Sequence, residues 1–332
     1  MAIVFEKVQR FAEVLDPTQG FQLLRQLVEH RKDPLTDDRT IVLPGRQNYM
    51  KHFFETDEKF LFDYAEETLA GCPFCRPSVE TRTPKFPKEL VDGGRIKVGE
   101  AVTFPSLFTH IEHNAVTALT RSHLLKLDEF EPEIFENGIK ASLEYVRRVY
   151  SRDKDVRYAA LVVNYLPPAG STVVHPHMQA LASSVPIRKI DGLLNCSRVY
   201  FEKSRSNYWL DLLEAEKRIR ERYIGRVGAS EWTVPFCPRG FYEVNAVIPE
   251  KTNLLELSED DISDIAKGLS KTLSFYKANN IWSFNIAIYS GLLGVKSEYF
   301  SINLKIAARY AFRSRSVNDR WSLPFLLEEI IV

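Results

Sequence analysis

Three polar side chains recur at every second position of the short segment Ser171–Ala182: His175, His177 and Gln179. Because successive side chains of a β-strand alternate between its faces, this spacing places all three on one face of an extended strand. Pro176 cannot donate a backbone hydrogen bond, so it predicts a strand start or a sheet edge there. Two imidazoles and an amide are costly to bury without partners, which indicates a metal, a phosphate or both.

Cys72 and Cys75 form a second candidate site, in the sequence Gly-Cys-Pro-Phe-Cys. Such a CxxC pair could be half of a zinc site, a redox pair or a coincidence. A redox motif would open a helix after a buried strand, whereas Arg-Pro-Ser follows here and indicates a turn. The pattern therefore favours metal binding, and a complete site needs two further ligands.

Two of the seven histidines are the best candidates for those ligands. His123 follows the β-rich run Ala115–Thr120, so it lies at a predicted strand end, and His175 lies on the polar face described above. With the two cysteines they would complete a tetrahedral Cys2His2 site for Zn2+, in which two thiolates neutralise the divalent charge. Iron is an alternative occupant that the sequence does not exclude.

The composition limits the class of protein. The chain has 332 residues, 45% of them hydrophobic, which predicts two domains or one large one. Its 44 basic and 44 acidic residues argue against general nucleic-acid binding. We expect no membrane association, since no apolar run approaches the roughly 20 residues of a spanning helix and the N-terminus does not resemble a signal peptide. Four cysteines in a chain of this length predict a cytoplasmic protein.

An order of elements around these residues occurs twice. An apolar strand leads through Arg121–Leu127 and an acidic stretch into an amphipathic helix and then a strand over Tyr158–Asn164. About 130 residues later, Lys251–Leu257 and a strand over Ser283–Tyr289 take the same places. The sequence therefore predicts an α+β fold of two fused units, each with an antiparallel sheet and a covering helix. Coincidence between two α+β segments is the alternative.

The second copy lacks the chemistry of the first. Asn253 stands in place of His123, and Ser301–Lys305 stands where the two histidines and the glutamine would fall. We therefore divide the chain into an N-terminal unit over residues 1–198, which carries the metal site and the reactive face, and a C-terminal unit over residues 199–332.

Two further regions are predicted to be helical. Asn207–Gly225 is amphipathic and would connect the two units. His30 and His52 lie in polar segments that we expect to be helical and exposed.

These residues together resemble the galactose-1-phosphate uridylyltransferase family, a branch of the histidine-triad superfamily. That family combines a CxxC pair and a distal histidine with an Asn…Gly-x-Ser…His-Pro-His-x-Gln block. The matching stretches here are Asn164, Gly170-Ser171-Thr172, His175-Pro176-His177-Met178-Gln179, the opening motif Asp33-Pro34-Leu35-Thr36 and the nucleotide-side motif Phe104-Pro105-Ser106-Leu107. The resemblance covers roughly residues 33–185, and its specificity lies in the combination of motifs.

The resemblance implies that His177 is the nucleophile. Its imidazole would attack the α-phosphorus of a nucleoside diphosphate sugar, release a sugar 1-phosphate and leave a covalent nucleotidyl-imidazole for a phosphorylated acceptor. A backbone carbonyl would have to hold Nδ1–H so that Nε2 carries the lone pair. Gln179, Asn164 and the turn Gly170–Thr172 would donate to the developing negative charge. Hydrolytic relatives have a third histidine at the position of Gln179, so glutamine favours a transferase or a phosphorylase.

By the same resemblance the default reaction is transfer of UMP from UDP-glucose to a hexose 1-phosphate, as in galactose metabolism, with a homodimer as the assembly. The alternative is a phosphorylase or adenylyltransferase that takes an ADP-sugar, a dinucleoside polyphosphate or a related adenylyl donor, with phosphate or sulfate as partner. A zinc-stabilised nucleotide-binding module without turnover is a hypothesis from another class.

The chain departs from the family at several positions. It has no histidine after His177, so the family's second metal site is absent. Arg46 matches the first of two family arginines, and Tyr49 stands at the second. Thr103, before Phe104, stands at the ribose-side acid, where a hydroxyl could still meet a ribose hydroxyl.

The largest departure is the segment Asn318–Glu328, which replaces the family's hexose-binding tail. Trp321 could stack on a sugar ring and Arg320 could hold a phosphate, or both could serve packing and the surface. We therefore expect an intact nucleotide half and a changed acceptor half.

Overall fold

The computed structural model describes residues 3–314, 317–319 and 322–332. Its strands are β1 (Lys7–Asp16), β2 (Gln22–Lys32), β3 (Arg39–Val42), β4 (Ile96–Val98), β5 (Ala101–Pro105), β6 (His113–Ala118), β7 (Tyr158–Tyr165), β8 (His177–Ser183), β9 (Tyr223–Val227), β10 (Ser230–Thr233), β11 (Phe241–Ile248), β12 (Ser283–Tyr289), β13 (Ile302–Arg309) and β14 (Ile330–Ile331). Its α-helices are α1 (Gln47–Lys51), α2 (Glu58–Leu69), α3 (Ser78–Thr81), α4 (Pro132–Arg152), α5 (Arg188–Ser204), α6 (Tyr208–Ile219), α7 (Glu259–Ala278) and α8 (Ser322–Leu326).

The central sheet has two halves with the same internal order. Within the described residues its strands run β4-β5-β6-β8-β7-β12-β13-β11-β10-β9, and all neighbours are antiparallel. β7 and β12 join the halves, with Val162 paired to Ala287. A pseudo-two-fold axis through this pair exchanges the two halves. The predicted α+β fold of two fused units is therefore confirmed.

Helices α4 and α7 cover one face of this sheet. Their apolar stripes, which include Leu143 and Leu273, are fully buried. Apolar side chains of both halves form one continuous core beneath these helices. Burial of this shared apolar surface stabilises the two halves as one body. The predicted boundary after residue 198 falls inside α5, so the division of the chain into domains stays a prediction.

Helices α5 and α6 cover part of the opposite face. Leu193 and Trp209 from these helices pack against Val247 and Phe300. α6 confirms a helix between the units, but it ends at Ile219 and β9 begins at Tyr223, so the predicted extent to Gly225 is too long. None of the helices that the structure describes is long and apolar enough to cross a membrane.

The N-terminal region differs from the prediction. His30 lies on β2, which forms a long hairpin with β1 and continues into β3, so the expected helix is wrong. The cross-strand hydrogen bonds of this hairpin satisfy backbone groups that a helix would otherwise satisfy internally. His52 caps the C-terminal end of the short helix α1. Both histidines are exposed, as expected.

Two glycines set the distance between the helices and the sheet. Gly138 lies in α4 and Gly268 lies in α7. A Cβ atom on Gly138 would lie 2.2 Å from the Leu119 side chain, and one on Gly268 would lie 1.9 Å from the Trp232 side chain. The Trp232 indole is fixed by a 2.9 Å hydrogen bond from Nε1 to Ser230 Oγ, so it cannot move aside easily.

We predict that Gly268→Ala lowers the free energy of unfolding by about 1–3 kcal/mol because it overpacks this contact. Alanine in place of an exposed helical glycine ordinarily stabilises by about 0.5–1 kcal/mol, so the sign is diagnostic. Urea unfolding curves measure both effects. The matched control is Gly192→Ala in α5, where nothing lies within 4 Å of an added Cβ and stability should rise. A gain of stability in Gly268→Ala would contradict this packing.

Candidate active site

The four predicted metal ligands meet at one point. The ligand atoms of Cys72, Cys75, His123 and His175 all lie within 4.8 Å of one another. Cys75 Sγ is 3.3 Å from His123 Nδ1 and 3.4 Å from His175 Nδ1, and Cys72 Sγ is 3.8 Å from His175 Nδ1. A tetrahedral zinc ion, about 2.3 Å from sulfur and about 2.0 Å from nitrogen, needs donors roughly 3.5 Å apart. The group could therefore bind a metal ion of this kind.

Hydrogen bonds on the far side of each ring aim the imidazoles at the sulfurs. His175 Nε2 lies 2.8 Å from the carbonyl oxygen of Thr120, which can only accept, so Nε2 carries the proton. His123 Nε2 lies 3.1 Å from the Thr68 hydroxyl, whose own proton goes to the carbonyl of Tyr64 at 2.9 Å. Both rings therefore present an unprotonated Nδ1 to the cysteines, which is the arrangement that outer contacts give to metal-binding histidines.

The electrostatics of the four side chains favour a cation among them. Burial, followed by the neighbouring Cys72, raises the pKa of the Cys75 thiol to about 12. Burial likewise lowers the pKa of His175 to about 4, so its ring is neutral. The neutral imidazoles and the two thiols direct several lone pairs at one another with too few protons between them. A divalent cation would accept these lone pairs and convert the thiols to thiolates.

His177 stands beside this cluster with its tautomer fixed. Its Nδ1 lies 2.9 Å from the carbonyl oxygen of His175, so Nδ1 carries the proton and donates it. The lone pair is therefore on Nε2. Burial lowers the pKa of His177, so the neutral ring predominates near pH 7. A backbone carbonyl at Nδ1 is the partner that the sequence analysis requires for a nucleophilic imidazole.

An apolar cluster lies on the same sheet face as His177. Val79, Val102, Phe104, Val116 and Ala118 form it. The Phe74 ring connects it to the histidine, with centroids 5.3 Å from Phe104 and 5.4 Å from His177. Gln179 shares this face, since it pairs with Val116 across the ladder. Phe74 carried no functional signal in the sequence, although it lies between the two cysteines of the CxxC pair.

Thr103 does not belong to this face. It pairs with Thr117, which pairs with Met178, so these side chains point to the side opposite His177. The Thr103 hydroxyl lies 2.8 Å from that of Thr117, which lies 2.8 Å from that of Ser142 in α4. The expectation that Thr103 contacts a ribose therefore needs correction. Its hydroxyl forms a hydrogen bond on the sheet face that α4 covers. Alternation along β5 instead puts Phe104 on the reactive face.

Asn164 shares the face of His177. Val163 pairs with Met178, so the next position along each strand places Asn164 opposite His177. The loop between β7 and β8 contains Gly170 in the left-handed conformation, with φ of 87°. The Ser171 hydroxyl donates its proton to the carbonyl of Val173 at 2.6 Å, a hydrogen bond within the loop. The Thr172 side chain is exposed.

Arg46 lies away from the apolar cluster. It lines a cavity of about 450 Å3 together with Tyr242, Tyr310 and Asp319. A second cavity of about 450 Å3, which includes Asn164, also contains Asp319. The remaining two tail residues of interest, Arg320 and Trp321, lie outside the described residues.

Other polar contacts of the site carried no signal in the sequence. The partner of His175 is a main-chain oxygen of Thr120, which any residue type would supply. Thr68 is one polar residue among many in α2. Contacts of this kind become visible only when the fold brings the segments together.

Comparison with known proteins places the chain in a family. No family model matches it. A protein of Archaeoglobus fulgidus, described as uncharacterized, is 31% identical over 310 residues, which cover 93% of this chain and 88% of that protein. The chain belongs to the same family as this archaeal protein.

Several solved structures share the fold of this chain. An ADP-glucose phosphorylase from Arabidopsis thaliana with bound ADP-glucose has a TM-score of 0.70 at 18% identity, over 92% of this chain and 94% of that one. A GALT-like protein from Arabidopsis thaliana has a TM-score of 0.69 at 16% identity, over 91% and 93%. A uridylyltransferase mutant gives 0.65 at 15% identity, over 91% and 92%. The predicted resemblance to the galactose-1-phosphate uridylyltransferase family is thus confirmed at the level of the fold.

We predict that Cys72→Ser lowers the metal content of the purified protein and its stability, because bound metal contributes folding free energy. Elemental analysis by mass spectrometry and thermal unfolding measure the two effects. The control is Cys196→Ser, since Cys196 is a half-buried thiol in α5 outside the four-residue group. Freshly purified wild-type protein without a stoichiometric metal would contradict the assignment.

Proposed function

We propose that the protein is a nucleotidyltransferase that works through a covalent nucleotide on His177. The main support for this proposal is the 2.9 Å hydrogen bond from His177 Nδ1–H to the His175 carbonyl, inside the His-Pro-His-Met-Gln block. It leaves a lone pair on Nε2 of a neutral ring, on the same face as Gln179 and Asn164. Those are the attributes of an imidazole nucleophile with amide donors beside it.

The first half-reaction transfers the nucleotide to the protein. His177 Nε2 attacks the α-phosphorus of a nucleoside diphosphate sugar, the bond from that phosphorus to the bridging oxygen breaks, and a sugar 1-phosphate leaves. The ring gains positive character as the N–P bond forms. The His175 carbonyl accepts the Nδ1 proton in a hydrogen bond that strengthens with this charge. Amide protons of Gln179 and Asn164 stabilise the negative charge on the phosphoryl oxygens.

The second half-reaction returns the nucleotide to an acceptor. An oxygen of a phosphorylated acceptor attacks the same phosphorus, and the neutral imidazole leaves with its Nδ1 proton still held. Glutamine at position 179 cannot protonate a leaving group, which favours transfer over simple hydrolysis. The base would pack on the apolar cluster beside Phe74 and Phe104.

Zn2+ is the metal that we propose for the cysteine and histidine group. Cys72, Cys75, His123 and His175 offer two sulfur and two nitrogen donors, the set that closed structural zinc sites use. The bound ion would tie the CxxC turn to the backbone that precedes β8, and thereby stabilise the position of His177.

Two donors are candidates. UDP-glucose with a hexose 1-phosphate acceptor is the reaction implied by the resemblance in the His-Pro-His-x-Gln block. An ADP-sugar with phosphate as acceptor is the second candidate, favoured by the structural likeness to a phosphorylase that holds ADP-glucose. Both begin with the same covalent step on His177.

We predict that wild-type protein mixed with its donor gains the mass of one nucleoside monophosphate, and that His177→Asn does not. The nucleotide exchange rate of His177→Asn should fall by at least about 10³-fold, since asparagine fills the space without attacking. Intact-protein mass spectrometry and exchange of labelled sugar phosphate provide the measurements. His30→Asn, on the exposed surface of β2, is the control and should keep full activity. Undiminished exchange in His177→Asn would remove that residue from its role.

The donor itself is identified by a panel. UDP-, ADP- and GDP-sugars give adducts of three different masses, so the nucleotide that accumulates on the protein reports the base. We expect UMP or AMP on the tryptic peptide that contains His177. Tight retention of a nucleotide without any adduct would support a binding module instead.

A further inference from the structure

We infer that a chain of hydrogen bonds from the second half of the fold fixes the amide of Asn164 beside His177. This chain, the amide relay, consists of Asp319, Arg309, Asn285 and Asn164. Its members lie on the C-terminal segment, β13, β12 and β7. The proposed role for catalysis rests on the proposed function, whereas the hydrogen-bonding order follows from the contacts alone.

The relay begins at a half-buried ion pair. Arg309 donates from both Nε and Nη2 to the Asp319 carboxylate, with Nη2 2.5 Å from Oδ1. The Arg309 and Asp319 side chains are 20% and 12% exposed. A bidentate ion pair of this type fixes the plane of the guanidinium group. The remaining guanidinium nitrogen, Nη1, donates to Asn285 Oδ1 at a distance of 2.7 Å.

The direction of each bond in the relay follows from the donor capacity of its members. Arginine has only donors, so the Asn285 atom that faces it must be the amide oxygen. The Asn285 NH2 group therefore faces the other way, 2.6 Å from Asn164 and 2.9 Å from the carbonyl oxygen of Ala169. Asn164 must accept this bond through its own oxygen.

The order of hydrogen bonds determines which group Asn164 presents to His177. With its oxygen occupied by Asn285, the Asn164 NH2 group remains available on the face that carries His177. A flipped Asn164 would present an oxygen to the phosphate instead, which repels it. Asn285 and Asn164 are directly paired residues of β12 and β7, so the relay crosses the junction between the two halves of the sheet.

The relay also borders a cavity of about 450 Å3 that includes Asn164, Asn285, Arg309 and Asp319. The bond to Ala169 holds the short helical turn Pro167–Ala169, which leads into Gly170. Arg309 and Asn285 are therefore positioning residues that act through Asn164, and Asp319 links their arrangement to the C-terminal segment.

Two substitutions of Asn285 separate loss of the bond from reversal of its direction. Asn285→Ala removes the contacts to Asn164 and Ala169, and we expect a drop of roughly threefold to tenfold in the rate of nucleotide transfer to His177. Asn285→Asp also loses the Ala169 contact, but its oxygens can only accept, so Asn164 must flip to donate to it. We expect a loss of about 10²-fold, the effect of removing one transition-state donor. Equal rates for the two variants would overturn the relay.

The decisive test is a double-mutant cycle. If Asn285 acts through Asn164, then Asn285→Asp should slow the Asn164→Ala protein by less than about twofold, because the group it reorients is gone. An unchanged loss of about 10²-fold in that background would show a direct effect of the new charge and would overturn the relay. Asn245→Ala is the matched control, since Asn245 lies in β11 and lines a different cavity, and should leave the rate unchanged.

A measurement without turnover tests the relay even if no donor gives an adduct. Nitrogen–proton correlation NMR detects the Asn164 NH2 group, identified by its absence in Asn164→Ala. We expect this signal to shift in Asn285→Asp and in Arg309→Gln, and to stay in place in Asn245→Ala. A signal unmoved by both relay variants would overturn the inference. No adduct in the wild type, together with the expected NMR shifts, would reject the proposed function and retain the relay.

Discussion

One residue, His175, joins the two parts of the candidate active site. Its ring presents Nδ1 to the cysteine sulfurs, while its carbonyl oxygen holds the Nδ1 proton of His177. The tautomer of His177, the proposed nucleophile, therefore depends on the position of a peptide group whose side chain belongs to the candidate metal site. Displacement of that ring would move the carbonyl and allow His177 to rotate or change tautomer. The same residue thus constrains both the cysteine and histidine cluster and the tautomer of the proposed nucleophile.

The pseudo-symmetry explains why the fold has two halves and one candidate site. Asn303 and Lys305 take the places of His177 and Gln179 in the second half. Lys305 forms a 2.7 Å ion pair with the buried Glu243, whose other oxygen accepts from backbone groups at Arg239 and Gly240. Side chains of α5 and α6 cover this surface. The second half has therefore used its equivalent face for packing, and its polar groups are largely satisfied internally.

Spacing patterns predicted the parts of the structure that depend on local periodicity. The alternation of His177 and Gln179, the repeat of strand and helix and the four candidate metal ligands all follow from sequence spacing. The helix expected around His30 was wrong because the polar character of its segment also suits an exposed hairpin once β1 is available as a partner. Thr103 failed because its face is set by the register of β5 against β6, which a motif match does not specify.

The proposed amide relay marks a further limit of the sequence, because its members come from both halves of the fold. Asn164 and Asn285 lie more than a hundred residues apart, and neither neighbourhood indicates a contact between them. Only the pairing of β7 with β12 brings the two amides together, and that pairing exists because the halves share one sheet. In the proposed relay, a half without His177 still acts on the proposed reaction, because it supplies Asn285 and Arg309 to a residue of the other half. Because Asp319 completes the relay, the orientation of an amide beside His177 depends on the C-terminal segment, the part of the chain that departs most from the family pattern.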